Sequence, residues 1–187
     1  MMPTSRVIGG LEDLFAPGFL SDPQLARVLP PDLLAWYRTE AGGWFARETA
    51  RDFDGAPPAR IRQIFHGVGD AGRATAVEFV RRGGRLLFGS DTPSAPTYAN
   101  PPGYNGYLEM RELERAGISP ARILAAATRD AAVFFGIAAD FGTVQPGKRA
   151  SLLLLRADPL ASTSAFDTIE LVIVGGRVVP RADLAAR

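Results

Sequence analysis

The 187-residue sequence contains no cysteine and a single histidine, His66. Without cysteine there is no disulfide, no thiolate nucleophile and no cysteine-liganded zinc site. With one histidine, the usual donor for transition metals is nearly missing as well. Charge of either sign is not in excess: 21 Lys+Arg stand against 20 Asp+Glu, a net +1, with no block of like charges. That balance offers no electrostatic footprint for nucleic acid or an anionic membrane, so a small molecule or another polypeptide is the expected partner. Long apolar runs are missing too. No stretch approaches the roughly 18 apolar residues of a membrane span. Met1-Met2-Pro3-Thr4-Ser5 has no signal-peptide core. A cytoplasmic location is the expectation if Met1 is the true start.

What remains is an ordinary globular mixture, 47% hydrophobic and 22% charged, which argues against wholesale disorder or a fibrous repeat. The length suits one compact domain, or one domain with a small appendage. It is too short for a full eight-unit barrel of about 250 residues, so any barrel reading is a partial one.

From Pro23 to Phe53 the pattern predicts short helices separated by Pro30-Pro31 and Gly42-Gly43, with Asp22 and Asp32 as caps. Trp36, Trp44 and Phe45 suit core or lid packing. A Pro- and Gly-rich loop over residues 52–60 precedes a helix over 73–82, closed by Gly83-Gly84. Arg85-Leu86-Leu87-Phe88-Gly89 then has the character of a strand buried on both faces of a parallel sheet. The polar turn Ser90-Asp91-Thr92-Pro93 follows at once, leading into a loop to Gly106 that carries four prolines and the polar and aromatic residues Tyr98, Asn100 and Tyr104. Long loops of this kind in compact domains are usually functional, and these three residues are the candidate substrate contacts. Helices are predicted from Gly106 to Ala116, from Ser119-Pro120 through Ala127, and from Thr128 to Gly136. After Gly142 the pattern turns to β: residues 151–155, then 169–174, then a two-residue Gly175-Gly176 hairpin into Arg177-Val178-Val179.

A carboxylate just past the carboxy end of a buried parallel strand lies where barrel and α/β folds place their chemistry. Asp91 is such a residue. It could ligate a metal and take a proton from the attacking water, or it could merely cap a turn in Ser-Asp-Thr-Pro. Position alone leaves both open.

Several motifs in fixed order bear on that choice. Gly89-Ser90-Asp91-Thr92 is followed by Ala126-Ala127-Thr128-Arg129-Asp130-Ala131-Ala132 and Phe135-Gly136-Ile137. Then come Gly142-Thr143-Val144-Gln145-Pro146-Gly147-Lys148-Arg149-Ala150, Leu152 to Leu155, Asp158-Pro159-Leu160 and Ile169 to Val179. Together they resemble the amidohydrolase superfamily, in particular its imidazolonepropionase-like and prolidase-like members, over Arg85 to Val179 and weakly at Met2-Pro3-Thr4.

The resemblance implies an α/β fold: a partial (β/α)8 barrel holding strands seven and eight in residues 1–137, continuing into a small β-sandwich segment over 138–187. It implies hydrolysis of a carbon–nitrogen bond in an amide, cyclic amide or dipeptide, with a divalent metal, zinc, and Asp91 as metal-contacting proton shuttle. Gly147-Lys148 matches the segment leading the chain back into the sandwich. The family's His-x-His pair, its other histidine ligands and its lysine have no counterpart here, and His66 matches none of them. Ser151 stands where relatives have aspartate. A catalytic divalent cation takes three or more protein ligands, so the expectation is a carboxy-terminal fragment, inactive alone, whose partner is the missing amino-terminal barrel half or another chain covering its exposed edges.

A rival lies upstream. Gly67-Val68-Gly69-Asp70-Ala71-Gly72 fits the G-x-G-x-x-G phosphate-binding pattern, and Asp91 follows near the spacing of a ribose-binding acid. On that reading Gly67, Gly69, Gly72 and Asp91 serve a nicotinamide-dinucleotide-binding oxidoreductase module. Against it, Arg60 to Phe65 has helical apolar spacing after Pro57-Pro58, which suits a glycine-broken helix junction. A third reading is a catalytically silent interaction domain. Ser90 lacks the second glycine of a nucleophile elbow and any histidine partner. Glu109, Glu112 and Glu114 read as a solvated helix face, with Glu109 able to border a pocket.

Overall fold

The computed structural model describes residues 1–94 and 97–184; residues 95 and 96 of the predicted 93–106 loop lie outside that set. Among the described residues the α-helices are α1 (Arg6–Leu14), α2 (Leu25–Val28), α3 (Pro31–Tyr37), α4 (Trp44–Arg51), α5 (Pro58–Arg81), α6 (Tyr104–Arg115), α7 (Pro120–Ala127) and α8 (Arg129–Phe134). The strands are β1 (Leu152–Leu155), β2 (Ile169–Val174) and β3 (Arg177–Pro180). None of the described helices is long and apolar enough to cross a membrane.

The chain divides into two compact units. One holds Met1–Pro3, Ala74–Gly89 and residues 110–184; the other holds Thr4–Arg73 and Ser90–Glu109. The core of the first unit is Ala76, Leu86, Leu113, Ile118, Ile123 and Ala126, with Val77, Val80, Phe88 and Met110 packed around it. The helical residues among these recur at spacings of three and four, so one stripe of each helix is buried. In the second unit Leu14, Tyr98 and Ala99 form one cluster, and Leu25, Leu29 and Leu34 another.

The three strands form one antiparallel sheet in the order β1-β2-β3. Leu152 pairs Ile173 and Leu155 pairs Ile169, with an irregularity between Leu154 and Leu155; Val174 pairs Arg177 across the hairpin. Gly175 and Gly176 have φ of 56° and 86°. Both central residues of a two-residue type I′ turn need φ above zero, which only glycine adopts at no steric cost. The hairpin therefore forms where its sequence predicts it.

Residues 85–89 differ from the expected strand. They join no ladder, and β1 to β3 supply all the ladder pairing among the described residues. A strand requires hydrogen-bonded neighbours, and here the neighbour is a single residue. The Met1 amino group donates to Arg85 O at 3.0 Å and Leu87 N–H donates to Met1 O at 2.8 Å. One bond accepted at Arg85 and one donated from Leu87, both with the same facing residue, are the bonding pattern of a parallel pair.

The glycine-rich stretch corrects the sequence reading twice. Helix α5 runs unbroken for 24 residues, so Gly67 to Gly72 neither open a helix nor break one. Mid-helix amides are engaged along the helix and cannot cradle a pyrophosphate, and no strand precedes them. Gly67 and Gly72 have nothing within 4 Å of where a Cβ would sit. Gly67→Ala and Gly72→Ala should each stabilise the chain by about 0.5–1 kcal/mol, a rise of about 2–4 °C per kcal/mol in the thermal midpoint for a chain of this size. A drop in the midpoint of either variant in a calorimetric scan would contradict the unbroken helix.

Trp36 and Trp44 are more exposed than packing in a core predicts, at 43% and 40%. Ser119 does precede Pro120 at the start of α7, but its side chain makes no capping bond. Glu114, expected on a solvated face, instead ties α6 to the 163–168 turn. Its Oε2 accepts from Arg111 Nη1 at 2.8 Å, Ser162 Oγ at 3.3 Å and Thr163 N at 3.1 Å, and also from Thr163 Oγ1. Burial by itself raises the Glu114 carboxyl, but the bonds from Thr163 and Ser162 and the Arg111 charge outweigh it and hold the group below the usual range. A depressed carboxyl stabilises the fold above its unfolded-state pKa, and that stabilisation disappears as pH falls through the folded-state value. The thermal midpoint should therefore fall on acidification from pH 6 towards 3, and more gently in Glu114→Gln, which starts lower at pH 6.

Candidate functional site

Asp91 sits just past the 85–89 segment, with its side chain exposed. Its φ of 51° is left-handed, a region non-glycine residues enter at a cost and Asp and Asn enter most readily. Such a conformation persists only where the surroundings over-determine it. Those surroundings are polar and buried. Asn105, fully buried near the start of α6, donates from Nδ2 to Ser90 O at 3.3 Å and Thr92 Oγ1 at 2.6 Å, the two residues flanking Asp91. The same Nδ2 lies 3.1 Å from Asn100 Oδ1, and Ser90 Oγ and Thr92 Oγ1 are 3.0 Å apart.

Behind Asn105 stands Arg6 of α1, 3% exposed. Arg6 Nε donates to Asn105 Oδ1 at 3.0 Å, and its Nη2 reaches Asp13 Oδ2 at 2.6 Å and Ala99 O at 3.1 Å. Because a guanidinium only donates, the Asn105 atom facing it must be the oxygen, which aims the amide NH2 at the 90–92 turn. Arg6 N–H donates to Glu109 Oε2 at 2.7 Å, one turn beyond Asn105 on α6. Glu109 is fully buried, so it lies neither on a solvated face nor at a pocket rim. Nothing local in the sequence marks Arg6, Asn105 and Glu109 as one cluster; the only signal is that residues 105 and 109 are four apart and share a helix face.

The three candidate substrate contacts lie in the second unit. Tyr98 is in the core of its unit and its hydroxyl donates to Leu14 O at 3.1 Å; burial first, and then the charge of Asp13, push that hydroxyl up. Asn100 is buried and donates to Ser94 Oγ. The Tyr104 hydroxyl donates to Asp22 Oδ2 at 2.9 Å. Each of the three side chains is thus hydrogen-bonded within its own unit.

Two depressions lie elsewhere. A cavity of about 730 Å³ in the first unit is lined by apolar residues, among them Leu124, Phe135, Ile137, Leu152 and Phe166, with no acid or histidine. A smaller one of about 280 Å³ in the second unit includes Glu12, Arg62 and His66. His66 is exposed, with Nδ1 3.2 Å from Glu12 Oε2 and Nε2 3.2 Å from Asp70 Oδ2. It is a surface histidine among surface charges, as its position in the sequence suggests. Asp70 is held below the usual carboxylate range, chiefly by its hydrogen bond from Arg73.

No three His, Asp or Glu side chains among the described residues stand close enough to hold a metal ion. The described residues do not by themselves make a metal centre. What they provide is one exposed carboxylate on a turn fixed from beneath.

The profile of the amidohydrolase family matches residues 63–179, well over half of the chain. No curated protein matches. Among solved structures, a Xaa-Pro dipeptidase with methionine bound in its active site is similar over 81% of this chain at a TM-score of 0.56 and 22% identity. An amidohydrolase structure is similar over 82% at a TM-score of 0.53, also at 22% identity. A putative prolidase from Bifidobacterium longum shares 32% identity over 69%, at a TM-score of 0.49. The chain spans 34%, 33% and 31% of those three proteins.

Proposed function

The chain belongs to the amidohydrolase family, and from that premise we propose that it serves as the Asp91-bearing part of a hydrolase that cleaves carbon–nitrogen bonds. The observation that carries the reading is the setting of Asp91: an exposed carboxylate just after the apolar 86–88 run, inside the family match, with both neighbours hydrogen-bonded to a buried amide. A carboxylate so placed can accept a proton from an attacking water and return it to the leaving nitrogen, in the manner of a general base that becomes a general acid. Its exposure leaves room for water and substrate on the open side.

On this reading the residues that surround a metal, for which zinc is the assignment, come mainly from a segment outside residues 1–187. Asp91 is one carboxylate, and a catalytic zinc takes three protein ligands. The bonds of Met1 to Arg85 and Leu87 support a seventh-beside-eighth strand arrangement, because they are those of a parallel pair. The substrate class is an amide, either a dipeptide or a cyclic amide.

The test is to express residues 1–187 together with the coding sequence that lies upstream of Met1, and to assay a panel of Xaa-Pro dipeptides and five-membered cyclic amides while measuring bound zinc. Hydrolysis with stoichiometric zinc, lost when either partner is omitted, is the expected result. A stable complex that holds no metal and cleaves no member of the panel would remove the proposal and leave an interaction domain in its place.

A further inference from the structure

We infer that Asn105 is the positioning residue for Asp91: through the Ser90 carbonyl and the Thr92 hydroxyl it holds both sides of the turn, and so sets where the carboxylate points. The inference rests on the proposed hydrolase only for what the carboxylate does, and not for the positioning itself.

Three observations converge on it. The Asn105 side chain bonds residue 90 and residue 92 but not residue 91, so the carboxylate between them stays open to solvent while the backbone on either side is fixed. Its orientation is forced by Arg6, which can only donate and therefore claims the oxygen end. Arg6 in turn is anchored to Asp13 and Ala99, and its N–H to Glu109 on the same helix as Asn105. The left-handed Asp91 is thus supported by a chain of buried polar groups that reaches from α1 through α6 to the turn. An exposed turn needs no such support to exist. A turn that must present one carboxylate in one direction does, because a misplacement of about 1 Å is enough to slow a reaction by about a hundredfold.

The measurement is backbone 15N relaxation on the full 187-residue chain. In the native protein Ser90, Asp91 and Thr92 should have order parameters near about 0.85, and in Asn105→Ala they should fall below about 0.6, while Leu113 and Ile123 stay unchanged. Thr92→Val removes the same tie from the loop side without entering the buried network and should give a smaller fall. Thr92→Ser keeps the hydroxyl and should restore native values, and Asp91→Asn should leave the turn as rigid as before. A turn that stays ordered in both Asn105→Ala and Thr92→Val, or a loss of order spread equally to Leu113 and Ile123, would overturn the assignment. None of these readings needs hydrolysis, so they stand if the proposed reaction fails. Where the assembled hydrolase is active, Asn105→Ala should lower kcat at least about tenfold with KM retained, the mark of a misaimed group and not of lost substrate binding.

Discussion

Arg6→Ala should cost the chain about 3–5 kcal/mol of folding stability, the range seen when one partner of a buried ion pair is removed. Arg6 is 3% exposed and its partner Asp13 is mostly covered, with side-chain exposure of 21%. Truncation leaves Asp13 without the guanidinium 2.6 Å away, and the fully buried Asn105 without the donor to its Oδ1. Each of the two groups then carries a desolvation cost that the lost Arg6 contact no longer offsets. Because a domain of this size has only about 5–15 kcal/mol in total, the loss should be visible as a large fall in the urea midpoint. Glu78→Gln is the matched control. Glu78 pairs Arg81 and Arg82 on an open helix surface, where solvent screens the pair, and no measurable midpoint shift is expected. If Arg6→Ala moves the midpoint no further than Glu78→Gln does, the Arg6 cluster is hydrated and not the buried network described above.

If the proposed reaction holds, Asp91→Asn should leave the fold untouched and lower kcat of the assembled hydrolase by about two to four orders of magnitude, the usual worth of a positioned acid–base group. Asparagine has almost the same shape and accepts left-handed φ as readily as aspartate, so the turn at 51° need not move. The side chain is exposed, so no buried partner is lost. What disappears is the carboxylate that would accept the proton of the attacking water and return it to the leaving nitrogen. Thermal midpoints and substrate affinity should match the native protein within error while turnover collapses. Retention of even a tenth of native turnover would assign Asp91 to turn capping.

Much of the secondary structure was readable from local pattern because its causes are local. Gly175-Gly176 dictates a hairpin, Pro120 begins a helix, and Asp91 follows an apolar run at a predictable point. The glycine pattern at 67–72 misled for the opposite reason. Three glycines cost a helix a few kcal/mol at most, which the apolar contacts of Ile61, Ala76, Val77 and Val80 offset. The support under Asp91 could not be read at all. Arg6 meets Asn105 99 positions later in sequence, and nothing in the neighbourhood of either residue announces the other. Glu109 looked solvated since charged helix residues usually are; the arginine main chain opposite it is visible only in three dimensions. Tyr98 and Asn100 read from the sequence as candidate pocket residues, because aromatics and amides in a proline-rich loop serve recognition and packing equally well.

The outer edge of β1 bears on how the protein behaves in a tube. Leu152 to Leu155 carry no charge and no proline, Leu153 and Leu154 are about half exposed, and β1 has β2 on one side only in the sheet. Four consecutive leucines at a free edge make a template for strand addition between molecules. Preparations should grow turbid with concentration and on warming well before the helices melt. A lysine placed at Leu153 should keep the solution clear by setting like charges against one another at that edge.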